Sequence, residues 1–261
     1  MDFSRFEAVF LDLDGTVYHE EHPLPGAVEL IAQLQRHAIP YACLSNSAAS
    51  PERVSVRLQQ MGMAVPPRLI YTAAATCDYL LAQYGETARV FNLATTSVHE
   101  MLAGRVHWVE APDQPCDVVI AAGPGGEMAS EARQRVALHL LRNGAVLLGL
   151  CADRVFPSPR GLEFGAGAMC AFLAYAADVH PVFCGKPEAV FFRELCRRMH
   201  VQPDRCVLIG DNLESDVMGA KAVGMTAVLV LSGVARQSDV RALPLTLRPD
   251  VIIESLTELE G

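Results

Sequence analysis

The chain predicts an α/β fold with mainly parallel strands. Short apolar runs alternate with helix-like stretches along nearly all of its 261 residues. Several of these runs, among them 8–11 and 206–209, are apolar without interruption, as strands covered on both faces are. Polar residues then stand where each run ends, which in an open parallel sheet is where ligands bind.

The elements follow in order. After the strand at 8–11, Ala27, Val28, Leu30, Ile31 and Leu34 recur at helical spacing. A second strand at 40–44 ends in Ser45-Asn46-Ser47. Ser50 and Pro51 supply an N-cap and a first-turn proline for a helix carrying Val54, Val56, Leu58 and Met61, stopped by Gly62. A strand at 70–72 precedes a helix near 76–83. The middle of the chain adds strands at 89–93, 117–121 and 146–150, with Gly- and Pro-rich loops at 123–126 and 156–159. Lys186 lies in Cys184-Gly185-Lys186-Pro187, with Pro187 suited to the first turn of a helix at 188–196. The strand at 206–209 ends in Gly210-Asp211-Asn212. A helix through Val217, Ala220 and Val223 follows, stopped by Gly224, and then a strand at 227–231.

Composition narrows the function. The formal net charge of −9 argues against a nucleic-acid backbone as partner. A hydrophobic fraction of 51% with 20% charged residues belongs to a packed globular protein. No apolar stretch is long enough to cross a bilayer, and the first residues lack a signal-peptide pattern. The eight cysteines show no C-x-x-C pair, so they read as reduced core thiols of a cytoplasmic protein. Only two of the 21 basic residues are lysines, Lys186 and Lys221.

The chemistry concentrates at Asp12 and Asp14. Two carboxylates at the end of a buried strand need partners, because an unpaired buried charge is costly. Ser45, Asp211 and Lys186 stand at equivalent places, with Asp216 in the helix after Asp211. Carboxylates, a hydroxyl and one cation suit Mg²⁺ together with a phosphate dianion. Each has a plainer reading: Ser45 as a turn residue, Lys186 as a surface lysine, Asp211-Asn212 and Asp216 as helix caps. The order of all of them after an Asp-x-Asp-Gly-Thr strand is what outweighs those readings.

Asp12-Leu13-Asp14-Gly15-Thr16, Leu44-Ser45-Asn46, Gly185-Lys186-Pro187 and Gly210-Asp211-Asn212-Leu213-Glu214-Ser215-Asp216 resemble the four motifs of the haloacid dehalogenase (HAD) superfamily, spaced as in its NagD-type phosphatases. The resemblance extends through Gly161 to Met169 and Leu229 to Val234. It implies a Rossmann-like parallel-sheet core at 1–84 and 182–261 and an inserted α/β cap at 85–181. It also implies a Mg²⁺-dependent phosphatase of small phosphomonoesters: sugar phosphates, nucleoside monophosphates, pyridoxal phosphate or phosphoglycolate. Asp12 would form an aspartyl-phosphate and Asp14 would act as general acid and base. Ser45, Asn46 and Lys186 would hold the phosphoryl oxygens. Asp12, the Asp14 main-chain carbonyl and Asp211 would bind the metal, supported by Asp216.

The cap departs from its relatives. Pro124-Gly125-Gly126-Glu127-Met128-Ala129 replaces the usual aspartate and aromatic residue, and Cys151-Ala152 stands where Thr-Asn is usual. Asp153 and Arg154 are the expected substrate contacts, while 123–126 reads as a plain turn and His99, His107 and Trp108 as packing or surface residues. A phosphomutase, a receiver domain and a silent phosphate-binding protein are the alternatives. The resemblance also implies pairing of two copies through the cap, as relatives of this type often show.

Overall fold

A computed structural model describes residues 1–85, 87–125, 128–158 and 161–259. Gly126, Glu127 and Pro159, which belong to the expected loops, lie outside the described residues. The chain forms two compact units: residues 1–45, 51–71 and 186–261, and residues 46–50 and 72–185.

The first unit is built on a six-stranded sheet. Its strands lie in the order Val251–Ile253, Thr226–Val230, Cys206–Gly210, Ala8–Asp12, Tyr41–Ser45 and Ile70–Thr72. The pairings of Ala8–Asp12 with both neighbours are parallel, as are the two that continue outward through Thr226–Val230 to Val251–Ile253. Every residue of the strands Ala8–Asp12, Tyr41–Ser45 and Cys206–Gly210 is buried, as their unbroken apolar runs require. The helix Ala27–Arg36 buries Ala27, Leu30, Ile31 and Leu34, and the helix Ala189–Met199 buries Phe191, Phe192, Leu195 and Cys196.

From the central strand Ala8–Asp12 the chain first builds outward on one side and later returns to the other. That strand is therefore a topological switch point, where the loops on either side part and leave a crevice. Register makes the crevice polar. Leu11 pairs with Ile209 and Asp12 with Leu44, so Asp12, Ser45 and Asp211 emerge side by side.

The second unit has a five-stranded parallel sheet in the order Val182–Phe183, Val146–Gly149, Val118–Ala121, Arg89–Leu93 and His107–Trp108. Alternate residues serve opposite faces. Val118 and Ile120 pack with Ala73, Cys77 and Leu81, while Val119 and Ala121 pack with Leu140, Met169 and Leu173. The helix Ala73–Leu81, placed with the core by sequence, thus packs with the second unit, because its apolar side covers that sheet.

Three details correct the sequence reading. Val56 is 55% exposed, because a residue two positions from Val54 falls on the far side of the helix Pro51–Gln60. Pro187 is not in a first turn: the helix starts at Ala189, with Glu188 as its cap, since the preceding loop is used to hold Lys186. The segment after Asp211 is first a π-turn, Leu213–Met218, and only then an α-helical turn, Gly219–Ala222. All eight cysteines are free thiols, and seven are buried. Among the described residues, no helix is long and apolar enough to cross a membrane.

Candidate active site

The site lies in the first unit, at the end of its central strand. Past Asp12 the chain turns at once, with the N–H groups of Thr16, Val17 and Tyr18 all donating to the Leu13 carbonyl. Gly15 lets this turn close: its φ is +86°, and a Cβ there would lie 2.5 Å from Asp211 Oδ2. Asp12 points inward and is buried, whereas Asp14 sits exposed on the turn.

Asp12, Asp211 and Asp216 converge, offering carboxylate oxygens within 4.8 Å of one another, all from buried residues. Lys186, 3% exposed, donates to Asp12 Oδ1 and, at 2.6 Å, to Asp216 Oδ1. The Thr16 hydroxyl lies 3.2 Å from Asp12 Oδ2 and 3.5 Å from Asp211 Oδ1. The Val234 N–H donates to Asp211 Oδ2 at 2.7 Å. Asp216 Oδ2 accepts from the Asn212 N–H at 3.2 Å. The Asn212 side chain in turn accepts from the N–H groups of Glu214 and Ser215. Asn212 is thus the cap that the plainer reading assigned it, and drawing Asp216 inward accompanies the widened turn behind it.

One ammonium stands against three carboxylates. Burial, and then the charges of Asp12 and Asp216, push the Asp211 carboxyl up to about 8. Burial also raises Asp216, with Lys186 opposing and Asp12 adding to the effect. For Lys186 burial alone would favour the neutral amine, but Asp12 and Asp216 outweigh it and hold the ammonium form. Asp14 reaches solvent, yet the protein crowding its carboxyl, and secondly the Asp12 charge, raise it as well. The cluster therefore resists carrying its full negative charge, and a hard divalent cation would relieve it.

The structure brings together Asp12, Asp211, Asp216 and Lys186, with Asp14 two residues from Asp12 and Ser45 at the end of the adjacent strand. Asn46 and Asp153 meet in the second unit, where Asn46 Nδ2 donates to Asp153 Oδ2 at 3.1 Å. Arg154, next in sequence, is exposed. His99 stacks on Trp108 at 4.1 Å, and Trp108 packs against a core cluster, in keeping with packing roles. Sequence reasoning missed the roles of Thr16 and of the Val234 N–H. Thr16 was visible inside the Asp-x-Asp-Gly-Thr run, but a backbone donor leaves no signal in residue identity.

Buried acidic residues, a paired lysine and a strand switch point define a centre for phosphoryl chemistry on an α/β sheet. A haloacid dehalogenase-like hydrolase model matches residues 9–105, and a HAD-hydrolase-like model matches residues 183–259. A dihydroxyacetone phosphatase from Corynebacterium glutamicum (strain R) is 30% identical over 255 residues, covering 95% of this chain and 88% of that protein. Among solved structures, a glycerol phosphate phosphatase from Mycobacterium tuberculosis in complex with magnesium superposes with a TM-score of 0.88 at 26% identity. That match covers 98% of this chain and 77% of the other. NagD from E. coli K-12 gives a TM-score of 0.85 at 25% identity, covering 97% and 98%. The chain belongs to the haloacid dehalogenase-like hydrolases and is a phosphatase of the NagD type, acting on phosphomonoesters.

Proposed function

We propose that the protein hydrolyses small polyol, ketose or sugar phosphates with Mg²⁺, through an aspartyl-phosphate on Asp12. The observation that carries this reading is the buried cluster of Asp12, Asp211 and Asp216 closed by Lys186. The substrate class follows the relatives, which act on dihydroxyacetone and glycerol phosphates.

An Asp12 oxygen attacks phosphorus while the bond to the ester oxygen breaks, and Asp14 gives its proton to the departing alkoxide. Water then attacks the acyl phosphate and loses a proton to Asp14. The bond between Asp12 and phosphorus breaks, releasing inorganic phosphate and restoring both carboxyl groups. Lys186, Ser45 and Asn46 hold the phosphoryl oxygens, Lys186 adding positive charge where negative charge would repel the nucleophile. An all-oxygen set of crowded carboxylates suits Mg²⁺, which Asp12, the Asp14 carbonyl and Asp211 would hold. Asp216, which accepts from the Lys186 ammonium and from the Asn212 N–H, is assigned to fixing Lys186 and the loop. When bound, Mg²⁺ supplies charge neutralisation at the phosphoryl group. In this reading residues 1–45, 51–71 and 186–261 carry the chemistry together with Asn46, and residues 72–185 select the ester, with Arg154 assigned to substrate contact.

The test is phosphate release from dihydroxyacetone phosphate, glycerol phosphate and p-nitrophenyl phosphate. Chelator should reduce the rate to background, and Mg²⁺ should restore it; full activity in chelator would overturn the reading. A second expectation concerns stability. The folded pKa of Asp211, about 8, exceeds its ordinary 3.8, so the metal-free folded state binds more protons than the unfolded chain across that window. Stability is therefore lost as pH rises from about 4 to about 8. Melting in chelator should occur at a lower temperature at pH 8 than at pH 5.5, and Mg²⁺ should shrink the difference.

A further inference from the structure

We infer that Asp153 is a positioning residue: its carboxylate holds the Asn46 side chain in the orientation that grips a phosphoryl oxygen, and does not itself touch the substrate. This rests on the phosphatase reading above. The two residues are 107 positions apart, yet Asn46 Nδ2 lies 3.1 Å from Asp153 Oδ2. A carboxylate only accepts, so it selects which end of the Asn46 amide faces it. Nδ2 must turn one hydrogen toward Asp153, which leaves its second hydrogen as the donor to a phosphoryl oxygen and Oδ1 on the side of Gly185. Any side chain at Gly185 would bring a Cβ 2.6 Å from that Oδ1 and 2.6 Å from the Leu150 carbonyl. Asn46 is thereby held between a fixed acceptor and the glycine that precedes Lys186.

The acceptor is itself held. The Asp153 carbonyl accepts from the Gly167 N–H at 2.9 Å, and the Arg154 carbonyl accepts from the Gly165 N–H at 2.8 Å. A Cβ at Gly165 would run into the Asp153 carbonyl. Burial, and then the charge of the Asp153 carboxylate beside it, push the Cys151 thiol up. These contacts anchor the loop at the start of the helix Ala166–Ala177, so the carboxylate meets Asn46 with little freedom to lose. They also divide the pair expected from sequence. Asp153 is half-buried and engaged, while Arg154 is exposed and free to meet a ligand's oxygen atoms.

A double-mutant cycle tests this, using Asp153→Ala, Asn46→Ala, both together and Asp153→Asn. The readouts are kcat/KM on p-nitrophenyl phosphate and on glycerol phosphate, and inhibition by inorganic phosphate. Asp153→Ala should lower kcat/KM about tenfold on both esters and weaken phosphate inhibition similarly, as the loss of one charged hydrogen bond would. The double variant should fall within about twofold of Asn46→Ala alone, because Asp153 acts through Asn46. Asp153→Asn keeps an acceptor oxygen and should lie between wild type and Asp153→Ala. If Asp153→Ala does not fold, Asp153→Asn combined with Asn46→Ala serves the same comparison. Losses that multiply in the double variant, or that fall on one ester alone, would overturn the proposal. So would an Asn46→Ala enzyme with unchanged kcat/KM, and in that case metal-dependent hydrolysis through Asp12 would still stand. Full activity of Asp12→Asn would instead remove the phosphatase mechanism beneath it.

Discussion

Asp12→Asn is expected to reduce kcat by at least about 10³-fold, since it removes the attacking oxygen while keeping the shape of the side chain. The same substitution should not weaken the fold. Asp12, Asp211 and Asp216 crowd their carboxylates against a single ammonium, and the charge of Asp12 helps push Asp211 upward. Removing one of the three charges relieves repulsion, and Lys186 keeps its bond to Asp216. In metal-free buffer the variant should melt at or above the wild-type temperature. Activity and stability would then move apart, as expected where a functional site holds unfavourable charge. Initial rates with Mg²⁺ and thermal melts in chelator measure both halves. Residual activity within tenfold of wild type would exclude Asp12 as nucleophile.

Lys186→Met should be costly in both respects. Methionine approximates the length of the side chain but carries no charge, leaving Asp12 and Asp216 buried without the ammonium that binds both. Breaking a buried ion pair by removing one partner costs about 3–5 kcal/mol. The remaining carboxylates can take up protons, so the measured loss should be smaller at pH 5.5 than at pH 8. Mg²⁺ should raise the melting temperature of the variant more than that of wild type, because it meets a larger excess of negative charge. Turnover should stay low even with Mg²⁺, since a phosphoryl oxygen loses its cationic partner. Denaturant titration in chelator, with and without added Mg²⁺, provides the measurement. A variant as stable as wild type in chelator would mean that Lys186 is not what balances the cluster.

Much of this was legible in the chain. Uninterrupted apolar runs announced the strands Ala8–Asp12, Tyr41–Ser45 and Cys206–Gly210, because strands covered on both faces admit few polar residues. The short edge strands His107–Trp108 and Val182–Phe183 were not legible. Two residues carry no period, and only their neighbours make them strands. The helix Ala73–Leu81 was legible as a helix but not as part of the second unit. An apolar face records that something covers it, not which sheet does so.

The site divides in the same way. Residue types and their order along the chain were enough to single out Asp12, Asp14, Lys186, Asp211 and Asp216 as candidates, because charged groups set among apolar strands are costly to leave without partners. Tertiary structure alone decided their partnerships. It set Lys186 between Asp12 and Asp216, brought the Thr16 hydroxyl to both Asp12 and Asp211, supplied a backbone donor from Val234, and joined Asn46 to Asp153. The physical reason is reach. Burial cost and periodicity act on each residue and its near neighbours, so sequence records them. A hydrogen bond between residues more than 100 positions apart exists only once strand order and register have brought the two together.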